Sequence, residues 1–237
     1  MFVIKKIRQL KVSFIRRNRS IWIISAILVM AIWFLKYEVI EDCIPKRFGA
    51  VEQGSIYRSG QLDDALVKRI LTKYKIGVII SLSGDSSNDV DKNAERQTAK
   101  ELGIKRLVFP LAGNGTGNIE NYAKAISAIC QAKKECKPVL VHCSAGAQRT
   151  SGVIAAYRLL IEKKDASFVF AEMDRYGAKT DNNSSLLQYL NSEMENLAIL
   201  LKQMGVLEYI PIPIPQITFT YGCMARTMDN GTGEKAE

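Results

Sequence analysis

The sequence predicts an α/β domain with a mainly parallel central sheet flanked by helices, preceded by one N-terminal transmembrane helix. Three observations predict it. From about residue 48, short β-branched runs alternate with segments of helical period, the order that builds parallel sheets covered by helices. Before that lies Ser20–Leu35 (SIWIISAILVMAIWFL), 16 residues without a charge. The chain as a whole is 47% hydrophobic and 24% charged, a globular balance that excludes wholesale disorder and fibrous classes.

Residues 1–19 form a basic tail. Lys5, Lys6, Arg8, Lys11, Arg16, Arg17 and Arg19 give it +7 with no acid. Residues 20–40 form the expected anchor. The uncharged run spans about 24 Å as a helix, slightly short of a bilayer core. Tyr37, Val39 and Ile40 extend its apolar face, and Lys36 snorkels. Trp22, Trp33 and Tyr37 stand near its two ends, where amphipathic rings are favoured. A secretory signal peptide is the rival reading, but no small-x-small cleavage site follows. Basic residues before the helix and Glu38, Glu41 and Asp42 after it put the tail in the cytoplasm. The expected location is a single-pass protein, in a bacterium the inner membrane, with its folded domain extracytoplasmic.

The folded domain is expected over residues 41–208. Ser55–Arg58 reads as a strand and Asp63–Lys75 as a helix with Leu66, Ile70, Leu71 and Tyr74 on one face. Gly77–Leu82 (GVIISL) is a buried strand. Gly84–Asp91 is a polar loop, Lys92–Leu102 a helix, Ile104–Phe109 a strand and Leu111–Gly117 a glycine-rich loop. Ile119–Gln131 is a helix, Pro138–Val141 a buried strand and Ser151–Lys163 an apolar helix. Asp165 marks the N-cap of a helix to Tyr176, and Ser185–Met204 is a last long helix. Residues 209–237 form a C-terminal tail. Ile210–Pro215 (IPIPIP) is extended and the final dozen residues are expected to be disordered.

The formal net charge is +9, yet outside the first 19 residues 26 basic residues face 24 acidic ones. The body is nearly neutral, so a nucleic-acid partner is not expected. The one His, His142, excludes His-based zinc sites and His-oriented triads elsewhere in the chain. Five Cys (43, 130, 136, 143, 223) leave at least one outside any intramolecular bridge. Cys130 and Cys136 are either a disulfide pair in an oxidising compartment or small buried residues.

The chemistry-bearing segment runs from His142 to Thr150 (HCSAGAQRT), between the Pro138–Val141 strand and the helix that follows. A loop from a strand to a helix N-terminus points backbone N–H groups at one spot, and the helix dipole adds positive potential. Such a cradle binds a phosphate dianion and favours the thiolate of Cys143, which can attack phosphorus. Gly146 permits the tight turn. Arg149 carries a planar fork able to hold two phosphate oxygens into the transition state. Thr150 can place a hydroxyl near the sulfur, and His142 shapes the loop.

This segment resembles the active-site loop of the cysteine-dependent protein tyrosine phosphatase superfamily, especially a bacterial dual-specificity-like branch. Tyr57-Arg58-Ser59-Gly60-Gln61 is also similar to bacterial members. The resemblance covers residues 48–205 and implies a dual-specificity-phosphatase-like fold, hydrolysis of phosphate monoesters and no cofactor or metal. It implies that Cys143 is the nucleophile of a phosphocysteine intermediate. Ser144, Ala145, Gly146, Ala147, Gln148 and Arg149 bind phosphate by the same resemblance, and Thr150 assists breakdown of the intermediate.

One position departs from the family. An ungapped alignment on Phe109-Pro110-Leu111 puts Gly113 where the general-acid Asp is expected. Asn114 and Asn118 nearby cannot serve as acids. Asp85 is the replacement singled out, with Asp89 and Asp91 as alternatives, all three also fitting solvated loop or helix-start positions. Ser144, Ala145, Ala147 and Gln148 carry no charge, which suits a substrate with one phosphate. The expected partner is a phosphorylated protein, lipid or envelope glycan. A catalytically weak phosphate-binding module is the alternative that Gly113 favours.

Overall fold

Five short strands form one sheet in the order β1-β2-β5-β3-β4. The computed structural model describes residues 21–30, 45–181 and 184–217. The strands are β1 (Gly49–Glu52), β2 (Ile56–Ser59), β3 (Val78–Ser81), β4 (Lys105–Val108) and β5 (Val139–His142). All neighbours are parallel except β1, which pairs antiparallel with β2. The mainly parallel sheet of the sequence reading is therefore present, as a mixed sheet with one antiparallel edge. β5 lies at its centre and is buried throughout, as a strand covered on both faces must be.

Register decides where chemistry can occur. His142 at the end of β5 is level with Ser59 at the end of β2 and Ser81 at the end of β3. The loops leaving these three strands therefore emerge side by side at the carboxyl edge, where open α/β sheets carry their sites.

The described residues divide into two compact units. The first contains the sheet with helices α2 (Asp64–Lys73) and α3 (Val90–Glu101). Asp63 caps α2, its carboxylate accepting from Leu66 N, and Asp89 caps α3 through Lys92 N. Leu66, Val67, Ile70 and Leu71 of α2 join Ala99 of α3, Tyr57, Ile79 and Leu140 in one apolar cluster. At 20–33 cal/mol per Å2, burial of such side chains is the main favourable term for this unit.

The second unit contains Leu111–Cys130 and the chain from Ala147. Its helices are the Ile119–Cys130 part of α4 (Ile119–Lys134), with α5 (Gln148–Leu160), α6 (Ala166–Arg175) and α7 (Ser185–Gln203). Every α5 residue from Thr150 to Leu160 is buried. Arg158 of α5 makes a two-pronged ion pair with Glu172 of α6, at 2.9 and 3.0 Å, so even the charged end of α5 is satisfied. Asn191 of α7 exchanges two hydrogen bonds with Ile217, which ties the extended Pro-rich segment to this unit.

Several expectations fall wholly or partly outside the described residues. The basic tail and both ends of the 20–40 anchor are among them. Residues 21–30 are helical (α1) with every side chain exposed. No helix among the described residues is long and apolar enough to cross a membrane. The disorder expected at the C-terminus and the states of Cys43 and Cys223 also lie outside. The thiol of Cys136 is free, so the Cys130–Cys136 disulfide that the spacing allowed is not formed.

Candidate active site

The first unit supplies the loop as far as Gly146. Cys143 is 1% exposed, and its Sγ accepts the Gly146 N–H at 3.2 Å. That short turn requires Gly146 to adopt φ +70°. A Cβ there would also lie 2.5 Å from Gly60 N and 2.6 Å from the Ser59 carbonyl carbon. No side chain fits on either ground.

The segment Tyr57–Gln61 is the bed of this loop. The Arg58 side chain is fully buried and donates to Gly146 O at 3.0 Å. Gln61 N donates to Ser144 O at 3.1 Å, and Gly60 passes close beneath the Ala145 backbone. From the β3 side, Ser83 Oγ accepts the Ser144 N–H at 3.1 Å. Arg47 Nη1 donates to Ala145 O at 2.9 Å. Three separate stretches of chain thus hold the carbonyls and one amide of Ser144–Gly146, which fixes the loop before any ligand arrives.

Behind the loop runs a row of linked polar groups. His142, fully buried, places Nε2 3.0 Å from Glu95 Oε2. Glu95, 1% exposed, also accepts from Arg106 Nε at 2.8 Å and from Gln61 Nε2 at 3.0 Å. Arg106 in turn grips Asp85 with two bonds of 3.1 and 3.2 Å, and Arg96 reaches the same carboxylate at 3.2 Å. Burial pushes the Glu95 carboxyl upward, but the His142 and Arg106 charges and hydrogen bonds hold it down at about 2.

The Glu95 pKa therefore lies below its unfolded value of about 4.3. Its contribution to stability is complete above that value and is lost as pH falls toward about 2. Glu95→Gln is expected to cost about 3–5 kcal/mol, because the largely covered Arg106 guanidinium loses its counter-charge and His142 loses its carboxylate partner. Urea melts at neutral pH check this, and the variant's remaining stability should fall less steeply in acid.

The second unit supplies the rest of the segment. Ala147 is the N-cap of α5 and provides no capping side chain, and the first turn holds no acid. A helix start left open in this way is a ready site for an anion. Arg149 and Thr150 stand on that first turn. Thr150 Oγ1 and Gln148 Oε1 are buried with no partner among the described residues.

The candidate acids fare differently. Partial burial raises the Asp85 carboxyl, but Arg106 first and Arg96 second outweigh it, so the group sits below its ordinary value. A carboxylate clamped by two guanidinium groups is poorly suited to donate a proton, which corrects the role expected for Asp85. Asp89 is the α3 cap and pairs with Lys92 at 3.5 Å. Asp91 is pushed upward by partial burial and by the neighbouring charges of Asp89 and Asp63.

Sequence reasoning missed one carboxylate. A cleft of about 440 Å3 in the second unit is lined by Gly113, Asn114, Gln148, Lys179, Asp181 and Ser185, among others. Asp181 lies in the loop between α6 and α7, where no helix or strand pattern marks it.

A cysteine at the carboxyl edge of a parallel strand, in a loop closed by glycine and followed by an uncapped helix, is the arrangement of a cysteine-dependent phosphatase. The model of the tyrosine phosphatase family matches residues 43–203. The chain belongs to that family. A probable dual specificity protein phosphatase H1 homolog of Fowlpox virus (strain NVSL) is 34% identical over 100 residues, 39% of this chain. The matched part spans 60% of that curated relative's length. Among solved structures, the core catalytic domain of the PP-IP phosphatase SIW14 from S. cerevisiae has a TM-score of 0.56 at 19% identity. That match covers 69% of this chain and 96% of the other. TpbA of P. aeruginosa has a TM-score of 0.53 at 19% identity, covering 68% and 91%. At these identities the two structures show the shared fold.

Proposed function

We propose that this chain hydrolyses phosphate monoesters through a phosphocysteine intermediate on Cys143, without a metal ion. The observation that carries the reading is the Gly146 N–H aimed at Cys143 Sγ in a turn only glycine can make. Cys143 attacks phosphorus and the ester oxygen leaves; water then attacks the phosphocysteine and releases phosphate. Arg149 holds two equatorial oxygens and follows their charge into both transition states. The open start of α5 adds backbone donors and positive potential. Thr150 Oγ1, buried without a partner, has its proton available for the leaving thiolate in the second step.

The substrate is a phosphorylated protein, lipid or envelope glycan. The uncharged side chains at 144, 145, 147 and 148 suit one phosphate per substrate. Exposure of every side chain in helical residues 21–30 supports a membrane anchor, since ten exposed apolar or small residues are costly in water. The charge asymmetry around it supports an inner-membrane protein of a bacterium with an extracytoplasmic catalytic domain. A second reading, a phosphate-binding module with little turnover, is favoured by Gly113 alone.

The test is release of phosphate from an aryl phosphate by the full chain, with chelator and reductant, in vesicles. Turnover is expected, inhibited by vanadate, with the protein floating with the lipid. Vanadate binding without turnover would favour the binding module, and protein left in the aqueous fraction would remove the anchor.

A further inference from the structure

We propose that Asp181 is the general acid of this reaction, supplied from the loop between α6 and α7 in place of the residue missing at Gly113. The inference rests on the phosphatase reading above. Its first support is location. Asp181 and Gly113 line the same cleft, and Gln148, which also lines it, is the residue before Arg149 on the first turn of α5. The cleft therefore adjoins the turn of α5 that carries Arg149.

The second support is the empty space at Gly113. A Cβ built there meets nothing within 4 Å. The space that a side chain at this position would occupy is open. Asp181 is the one carboxylate among the residues lining the cleft.

The third is the state of the Asp181 side chain. Asp85 is gripped by two arginines and Asp89 caps a helix. The Asp181 carboxyl has no hydrogen bond or ion pair with any described residue. Its backbone, in contrast, is fixed. Ser184 N donates to Asp181 O at 2.9 Å, and Ser184 Oγ donates to Lys179 O at 2.6 Å while capping α7. Thr180 Oγ1 donates to Asp174 Oδ1 at 3.3 Å. A held main chain with a free carboxyl is what a proton donor needs.

The fourth is Gln148. Its Oε1 is buried and unpartnered in the wall of this cleft. That oxygen can accept a hydrogen bond from a water, so the cleft has a place for the second substrate beside a base.

In the first step the Sγ–P bond of Cys143 forms and the P–O ester bond breaks. The departing oxygen takes the Asp181 proton and leaves as an alcohol. In the second step the Asp181 carboxylate takes a proton from the water that Gln148 orients. The water oxygen bonds to phosphorus and the S–P bond breaks, returning thiolate and the protonated acid. The charged groups lining the cleft are Lys179 and Asp181; Lys179 compensates the carboxylate between the two steps.

The experiment uses the full chain in vesicles with two substrates, nitrophenyl phosphate and an alkyl phosphate whose leaving group is a far stronger base. Asp181→Asn is expected to lose about 10²–10⁴-fold in kcat/KM on the alkyl phosphate, the usual worth of a general acid. The loss on nitrophenyl phosphate should be much smaller, and the alkaline limb of the kcat/KM profile should vanish. Gly113→Asp in the Asp181→Asn background should recover part of the alkyl phosphate activity, since the site is open. An unchanged leaving-group dependence and pH profile in Asp181→Asn overturns the proposal. Loss of the alkaline limb in Asp91→Asn, and not in Asp181→Asn, overturns it in favour of that residue. If Cys143→Ser is inactive while Asp181→Asn matches the parent, only the acid assignment fails. If Cys143→Ser still turns over, the phosphatase reading fails with it.

Discussion

Cys143→Ser is expected to abolish turnover of an aryl phosphate while oxyanion binding survives. The change replaces a sulfur nucleophile by a hydroxyl that needs a base to become one. A serine there would need a base within hydrogen-bond reach, and the single His of the chain is engaged elsewhere. His142 faces Glu95 through Nε2 at 3.0 Å and is fully buried. No rescue of a serine is therefore available. Binding is expected to persist because the backbone groups of Ser144–Gly146 are held by the Arg58 guanidinium, the Gln61 N–H and the Ser83 hydroxyl, not by the sulfur alone. Residual hydrolysis in a chelator-treated preparation would sink the nucleophile assignment. Phosphate release and equilibrium binding of tungstate measure the two halves separately.

Arg149→Lys is expected to fail in a different way. Both side chains are cationic, so the long-range attraction to phosphate survives. The fork does not: a lysine ammonium is a point charge and cannot hold two oxygens in a plane. Loss of a fixed donor to charge that grows in the transition state costs about 10²–10³ in kcat. The KM should rise as well, because the ground-state phosphate also loses one of its two bonds. Near-normal kcat in the variant would contradict the assigned role. An unchanged urea midpoint would separate this loss from misfolding.

Most of the architecture was legible because it follows from local rules. The β-branched runs at Val78–Ser81 and Val139–His142 are buried strands, and Asp63, Asp165 and Ser184 stand where helices start. Strand β1 was not read, since Gly49–Glu52 (GAVE) has one β-branched residue and no alternation. The start of α5 was placed at Ser151, where the residue type suits a cap; the helix begins three residues earlier, at Gln148. The usual cap signal is missing there, as it must be if the open N–H groups are kept for an anion. That shift puts Arg149 and Thr150 on a rigid helical turn instead of in a loop.

The polar chemistry was legible only where the chain is contiguous. HCSAGAQRT is one stretch, so its roles could be read together. Glu95 lies on a helix of otherwise solvated composition, and its partners His142 and Arg106 are far along the chain or on another element. Sequence periodicity gives no sign of such a pair. Asp85 looked like a free loop carboxylate because Arg96 and Arg106 meet it only in the fold. Asp181 gave no signal for the converse reason: its surroundings are made by Gly113 and Gln148, remote in sequence.

The burial of Cys143 bears on which thiol reagents inactivate the enzyme. Among the described residues, Cys143 shows 1% of its surface while Cys136 is exposed as a free thiol. A bulky disulfide or maleimide meets Cys136 at the rate of an ordinary surface thiol. At Cys143 the size of the reagent decides before its concentration does. Small oxidants and oxyanions shaped like phosphate are expected to reach the nucleophile ahead of bulky reagents. Inactivation by large thiol reagents is then slow and by small oxidants fast, so the damage the enzyme accumulates reports the size of what it has met.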